Sequence, residues 1–337
     1  MWDNIQPQFQ RDSRWGLFTD SLLQEASDLM SAKTLAACID SLEILRVSGD
    51  DAETFLQGQT TCDFHDVTAG HWRLGAHCNA KGRIQASFRA LRQDGDFLLL
   101  LPRGQGEPTR AALGKYALFS KVELKLDTDL QPLALLGPDA ARLSETLLGC
   151  APEQDACLTG TYGPVLGLRE NAFLALIPGD RTPELVTALD AAQVRLAGDN
   201  TWWLAEMQAG IAQVPAEQSE QWIPQEINYD LVNGVSFRKG CYKGQEIVAR
   251  IHYRGQTKVR VHLLEIENAN AAIPGARILN DNGDGVGTLL QTAYVNERTV
   301  LGLAVLKTDA SESESLQLEP KDDCRIRLLP MPYAITN

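Results

Sequence analysis

The sequence predicts an α+β fold that closes in an all-antiparallel β segment. Three observations predict it: short alternating apolar runs with hairpin turns between residues 42 and 126, a β-α-β-β-α succession between 133 and 194, and only strand patterns beyond 257.

Residues 1–36 read as a polar arm with scattered aromatics (Trp2, Phe9, Trp15, Phe18) and one helix over 21–32, where Leu22, Leu23, Ala26 and Met30 recur at helical spacing. A strand at 42–47 leads into Gly49-Asp50-Asp51, which caps a short helix carrying Phe55 and Leu56. Strands follow at 72–78, 83–91 and 97–101, with Lys81-Gly82 and Asp94-Gly95 as turns, then a helix over 105–119 and a strand at 122–126. The next stretch gives a strand at 133–136, a helix over 138–148, a strand pair at 164–168 and 173–177, and a helix over 183–194; the polar residues 149–163 read as a surface loop. Residues 202–210 read as a helix. Residues 214–234 are irregular and amide-rich, with Pro215 and Pro224 breaking any helix; such a loop on a rigid scaffold is where binding groups concentrate. Strands at 258–267, 277–279, 287–295, 300–306 and 325–329, joined by turns and an acidic 309–314 loop, form a small barrel or sandwich. The glycines of 283–287 mimic a phosphate loop, but they join strand to strand and so predict a hairpin turn.

At 337 residues the chain suits two or three domains, and no apolar run approaches the length of a membrane span. The seven cysteines are scattered without a Cys-x-x-Cys, which predicts a reducing compartment, the cytoplasm. A net charge of −13 argues against general affinity for nucleic acid. Yet residues 238–260 hold seven basic side chains (Arg238, Lys239, Lys243, Arg250, Arg254, Lys258, Arg260) against one acid, Glu246. Positive charge gathered in an acidic protein focuses an anionic ligand.

The chemistry gathers in Lys239-Gly240-Cys241-Tyr242-Lys243-Gly244-Gln245-Glu246. Its glycines allow a tight turn and close backbone approach. Lys239 offers a point charge, Tyr242 a stacking face, Gln245 a paired donor and acceptor, and Glu246 an acceptor for heterocycle N–H groups. Basic neighbours are expected to favour the Cys241 thiolate. A tight turn around an inert cysteine explains the same residues.

This segment resembles the K-G-C-Y-x-G-Q-E signature of the YgfZ family of folate-binding proteins, relatives of the glycine-cleavage T-protein. The likeness extends to Phe55-Leu-Gln-Gly-Gln-Thr-Thr-Cys-Asp63, Cys78-Asn-Ala-Lys-Gly-Arg83, Lys115-Tyr-Ala-Leu-Phe-Ser-Lys-Val122 and Ile223-Pro-Gln-Glu-Ile-Asn228. The resemblance implies a T-protein-like three-domain arrangement, with two mixed α/β sheet domains and a C-terminal antiparallel β-barrel. It divides the chain into an arm (1–36), a discontinuous folate-binding domain (37–128 plus 201–250), a ferredoxin-like domain (129–200) and the barrel (251–337). It also implies tetrahydrofolate or a one-carbon derivative as ligand, iron–sulphur enzymes or assembly proteins as partners, and a role in maintaining them and thereby in tRNA modification. Trp202, or its neighbour Trp203, is similar to a tryptophan near the folate. Gln225 and Asn228 would line the pterin pocket, Lys239, Tyr242, Gln245, Glu246 and Arg250 would contribute to the site, and Cys241 would be the reactive group.

Three departures stand out. The family's other folate-associated tryptophan falls at Leu42. The Glu-Ala-Gly ending the tryptophan-bearing helix appears as Gln208-Ala209-Gly210, an amide where similar enzymes place a carboxylate against the pterin. The catalytic aspartate of aminomethyltransferases falls at Gln85 or Ala86, which cannot act as a general base, so aminomethyl transfer is not expected. Other readings are weaker. Cys62-x-x-His65 with His77-Cys78 makes a poor metal set, because adjacent strand residues face opposite ways. Nothing pairs Cys241 with His252 as a hydrolase dyad. An RNA-binding accessory would use the basic stretch, where Tyr253 is the one aromatic after Tyr242.

Overall fold

The structure, a computed structural model, describes Trp2 and residues 10–12, 16–19, 21–268, 272–312, 315–319 and 323–335. Phe9, Trp15 and the end of the acidic 309–314 loop lie outside them. By compactness the chain separates into two units: Met1–Leu56, Phe64–Arg73 and Arg89–Trp202 in the first, Gln57–Asp63, Leu74–Phe88 and Trp203–Asn337 in the second.

The first unit holds a six-stranded sheet in the order Cys157–Thr159, Pro164–Arg169, Ala172–Pro178, Leu130–Leu136, Leu35–Cys38, Arg195–Ala197. Every pairing is antiparallel except the last, which is parallel. Alternate residues of its strands (Leu133, Leu135; Phe173, Ala175, Ile177) pack with Leu143, Leu148, Leu185 and Leu189 from the covering helices, as the period of two requires. Trp2 joins this core and its indole N–H donates to the carbonyl of Ile39 at 3.2 Å. The arm is therefore more than a lead-in: its aromatic start and its last residues complete the sheet layer.

Two expectations need correction here. The arm expected over 1–36 runs into a strand, Leu35–Cys38, which shows no alternation because all four residues are buried, as in strands covered on both faces. Residues 149–163 are not wholly a surface loop, since Cys157 is only 2% exposed and begins an edge strand too short to show a period.

Elsewhere in this unit Leu42–Ser48 pairs with Asp96–Pro102 and Glu123–Asp127. The hairpin around Asp94-Gly95 has both residues left-handed (φ 52° and 94°) and closes on Gln93 opposite Asp96, as this dipeptide predicts. The helix expected over 105–119 ends at Gly114, and the chain continues as a short 3-10 turn at Ala117–Phe119. The helix expected over 138–148 is Ala140–Leu143 followed by a π turn, Ser144–Leu148.

The second unit carries all but the first residue of the strand Arg73–Cys78, the helix Gln245–Arg254, and an antiparallel sheet in the order Leu316–Glu319, Arg277–Asn280, Gly285–Tyr294, Thr299–Lys307, Val259–Glu267, Arg325–Leu329. The two outermost strands in that order touch each other, so the sheet curls into a half-barrel. Residues 281–284 close a hairpin between Arg277–Asn280 and Gly285–Tyr294, as expected. No helix among the described residues is long and apolar enough to cross a membrane.

Candidate functional site

The 239–246 segment is a turn that feeds the helix Gln245–Arg254. Gly244 sits at its N-cap with φ 85°, and a Cβ there would lie 2.4 Å from the carbonyl oxygen of Asn79. Only glycine fits. Gln245 reinforces the turn: its amide oxygen accepts from the backbone N–H of Tyr242 at 3.3 Å. Cys241 is exposed at the tip, whereas Tyr242 is buried, which pushes its phenol up. Glu246 and Arg250 are exposed on the helix.

Lys239 does not present its charge to solvent. It is buried, and its ammonium donates to the carbonyls of Thr60 at 2.8 Å and Cys62 at 2.5 Å, with the Tyr242 ring centroid 5.2 Å away. Burial lowers its pKa to about 8. The signature lysine thus clamps the 57–63 segment. Around it burial pushes the Cys62 thiol up to about 11 and Cys78 to about 12, and lowers His77 to about 3, so these groups are neutral. Among the described residues no three metal-type ligands gather.

The amide-rich loop is pinned by its own amides. Gln218 donates to the carbonyls of Leu289 and Leu290. Asn228, left-handed at φ 62°, donates to Val261 O at 2.9 Å and to the Tyr333 hydroxyl at 3.2 Å, and accepts from Val261 N. Gln225 donates to Val248 O at 2.7 Å. Arg260, buried, holds the loop through both oxygens of Asp230 (2.6 and 3.1 Å) and through Gln225 O. An irregular backbone needs such partners for its polar groups, and amides supply them. Asn228 is therefore engaged internally. The Oε1 of Gln225 and both amide atoms of Gln213 are buried without a hydrogen-bond partner among the described residues. Sequence reasoning missed Gln213; its one signal was its place just before the amide-rich stretch.

The helix Asp199–Gln208 carries the two tryptophans. Trp202 is fully buried in the first unit, where the Arg89 guanidinium lies 5.3 Å from its ring and 5.6 Å from that of Trp72. Trp203 is half-buried and Gln208 exposed. At the position matched to the missing aspartate, Ala86 is fully buried, while the Gln85 amide donates to Glu220 at 2.7 Å and accepts from Lys243 at 3.4 Å. Glu220 itself is left-handed (φ 64°), a conformation unusual for its type. No sequence signal links these residues.

The architecture matches a known one. The crystal structure of glycine cleavage system aminomethyltransferase T from Bartonella henselae superposes with a TM-score of 0.73 at 14% identity, over 96% of this chain and 94% of that one. At that identity the match shows the T-protein fold alone, the arrangement the signature implied. No family model matches the chain. The tRNA-modifying protein YgfZ of Vibrio atlanticus is 30% identical over 292 residues, 85% of this chain and 88% of that protein. The chain belongs to the YgfZ family. The YgfZ proteins of Klebsiella pneumoniae (30% over 303 residues) and Escherichia coli (29% over 303 residues) each align over 88% of this chain and 92% of their own length.

Proposed function

We propose that this YgfZ-family chain binds a reduced folate, tetrahydrofolate or a one-carbon derivative, and acts as an accessory protein in tRNA modification, through iron–sulphur enzymes or the proteins that assemble them. Relatives named as tRNA-modifying proteins support the process. The observation that supports the ligand is the three buried amide atoms, two of Gln213 and one of Gln225, that have no partner among the described residues. A pterin ring presents adjacent N–H donors and carbonyl acceptors, and buried polar groups without partners are the groups a ligand satisfies. Gln213 supplies a donor and an acceptor, Gln225 an acceptor, Trp203 a partly exposed aromatic face, and Gln208, Glu246 and Arg250 accessible polar groups, Arg250 being the cation suited to a glutamate tail. Lys239, Tyr242 and Asn228 would support the site as its frame. Cys241, exposed on its turn, would be the group open to chemistry.

The test is tetrahydrofolate titration followed by tryptophan fluorescence in wild type and in Gln213→Leu, Trp203→Ala and Trp202→Ala, with circular dichroism to verify folding. Saturable quenching is expected, weakened about tenfold or more in Gln213→Leu, because a buried amide left unpaired costs roughly 1–3 kcal/mol. Absence of saturable quenching in wild type overturns the ligand assignment.

A further inference from the structure

The helix Gln245–Arg254 ends in an aromatic and basic surface that the folate reading does not use. Phe237, from the loop before the signature, stacks on His252 with ring centroids 3.6 Å apart and planes 10° from parallel. Tyr253 stands edge-on to both, 4.7 Å from His252 and 6.4 Å from Phe237, and is 67% exposed. The stack fixes His252 and so braces the base of a large, solvent-facing ring. Basic residues neighbour it along the chain: Arg238 follows Phe237, Arg254 follows Tyr253, and Lys258 comes four residues after the helix end. All three are exposed, and none forms an ion pair among the described residues. By contrast Arg260 and Lys239, from the same basic stretch, are buried and committed internally. The structure thus sorts the stretch into internal clamps and an exposed set that shares its short segment of chain with an ordered aromatic group.

We propose that this surface binds single-stranded RNA, with an unpaired base stacked on Tyr253 and phosphates held by Arg238, Arg254 and Lys258. Aromatic faces accept any base, and flanking cations follow the backbone. An acidic peptide would use the cations but gain nothing from the ordered rings. The net charge of −13 repels polyanions from the rest of the chain, so contact is confined to this surface rather than spread over it. The inference stands apart from folate and holds whether or not a pterin binds.

The experiment is fluorescence anisotropy of a labelled RNA stem-loop with a single-stranded loop, on the full chain, across a salt series, with Tyr253→Phe, Tyr253→Ala and Arg254→Ala and with circular dichroism of each. Tyr253→Phe should bind as wild type, and Tyr253→Ala should weaken binding about five- to a hundredfold. Arg254→Ala should lower the slope of log affinity against log salt by about 0.7–1. The proposal is overturned if Tyr253→Ala binds as wild type, if a blunt RNA duplex or inorganic polyphosphate binds as well as the stem-loop, or if no binding is seen at low salt.

Discussion

Replacing Lys239 with methionine removes the amine that joins the signature to the carbonyls of Thr60 and Cys62 while keeping much of its volume. In the unfolded chain this lysine titrates near 10.5, and in the folded protein burial brings it to about 8. Between those values the unfolded chain still holds a proton that the folded protein has released. Stability therefore rises with pH across that window, and below about pH 8 both states are protonated and the contribution is flat. The difference corresponds to about 3 kcal/mol between pH 8 and 10.5. The neutral amine keeps two N–H groups, enough for both carbonyls, so deprotonation does not release the clamp. Urea denaturation of wild type and Lys239→Met at several pH values between 7.5 and 10.5 isolates the effect, because titrating groups not coupled to Lys239 cancel in the difference, and Cys62→Ala in both backgrounds removes the one coupled thiol. The stability gap in favour of wild type should widen with pH by up to about 3 kcal/mol. A gap that stays constant or narrows refutes the assignment of a buried, proton-releasing lysine.

Further predictions concern the frame. Asp199 accepts from the backbone N–H groups of Asp40 (2.8 Å) and Ser41 (2.7 Å), so Asp199→Ala should cost about 2–4 kcal/mol in chemical denaturation and Asp199→Asn, which keeps the oxygen, clearly less. Gly244→Ala places a methyl against Asn79 O in a left-handed turn and should lose about 2 kcal/mol or more; a variant melting with wild type would show that the turn relaxes freely. Glu25, buried under Thr19 and Gly198, has its carboxyl raised above 4.5 by burial, so the unfolded chain ionises first as pH rises and stability falls above that value. Glu25→Gln should lack this loss, visible as a smaller drop in melting temperature from pH 4.5 to 7; parallel profiles would dismiss it.

Much of the frame was legible because its elements are long and periodic. The hairpin at Asp94-Gly95 and the strands at 164–169 and 172–178 announce themselves through turn chemistry and apolar spacing. Leu35–Cys38 and Arg195–Ala197 were not visible, since each is three or four residues long and owes its place to distant pairing partners. In the candidate site the signature's residues stand out in the sequence, but their internal partners do not. An amide paired to its own backbone, as in Asn228, and one left over, as in Gln213, are identical in sequence; only packing separates them. The same holds for Lys239, whose charge reads as outward until its carbonyl partners are seen, and for Phe237, whose partner His252 belongs to the next helix.

The clamp by Lys239 also sets an order in time. Thr60 and Lys239 are 179 residues apart, and a ribosome adds roughly 5–20 residues per second, so the short 57–63 segment waits on the order of 10–35 seconds for the amine that closes it. During that interval every segment of the first unit has been made, because its last one ends at Trp202, while Gln57–Asp63 and Leu74–Phe88 still lack the rest of the second unit. Their carbonyls stay hydrated, and Cys62 and Cys78, sealed in the finished protein, are open to oxidants. Translation slowed or cut short before residue 239 would leave the carbonyls of Thr60 and Cys62 without the amine that closes on them.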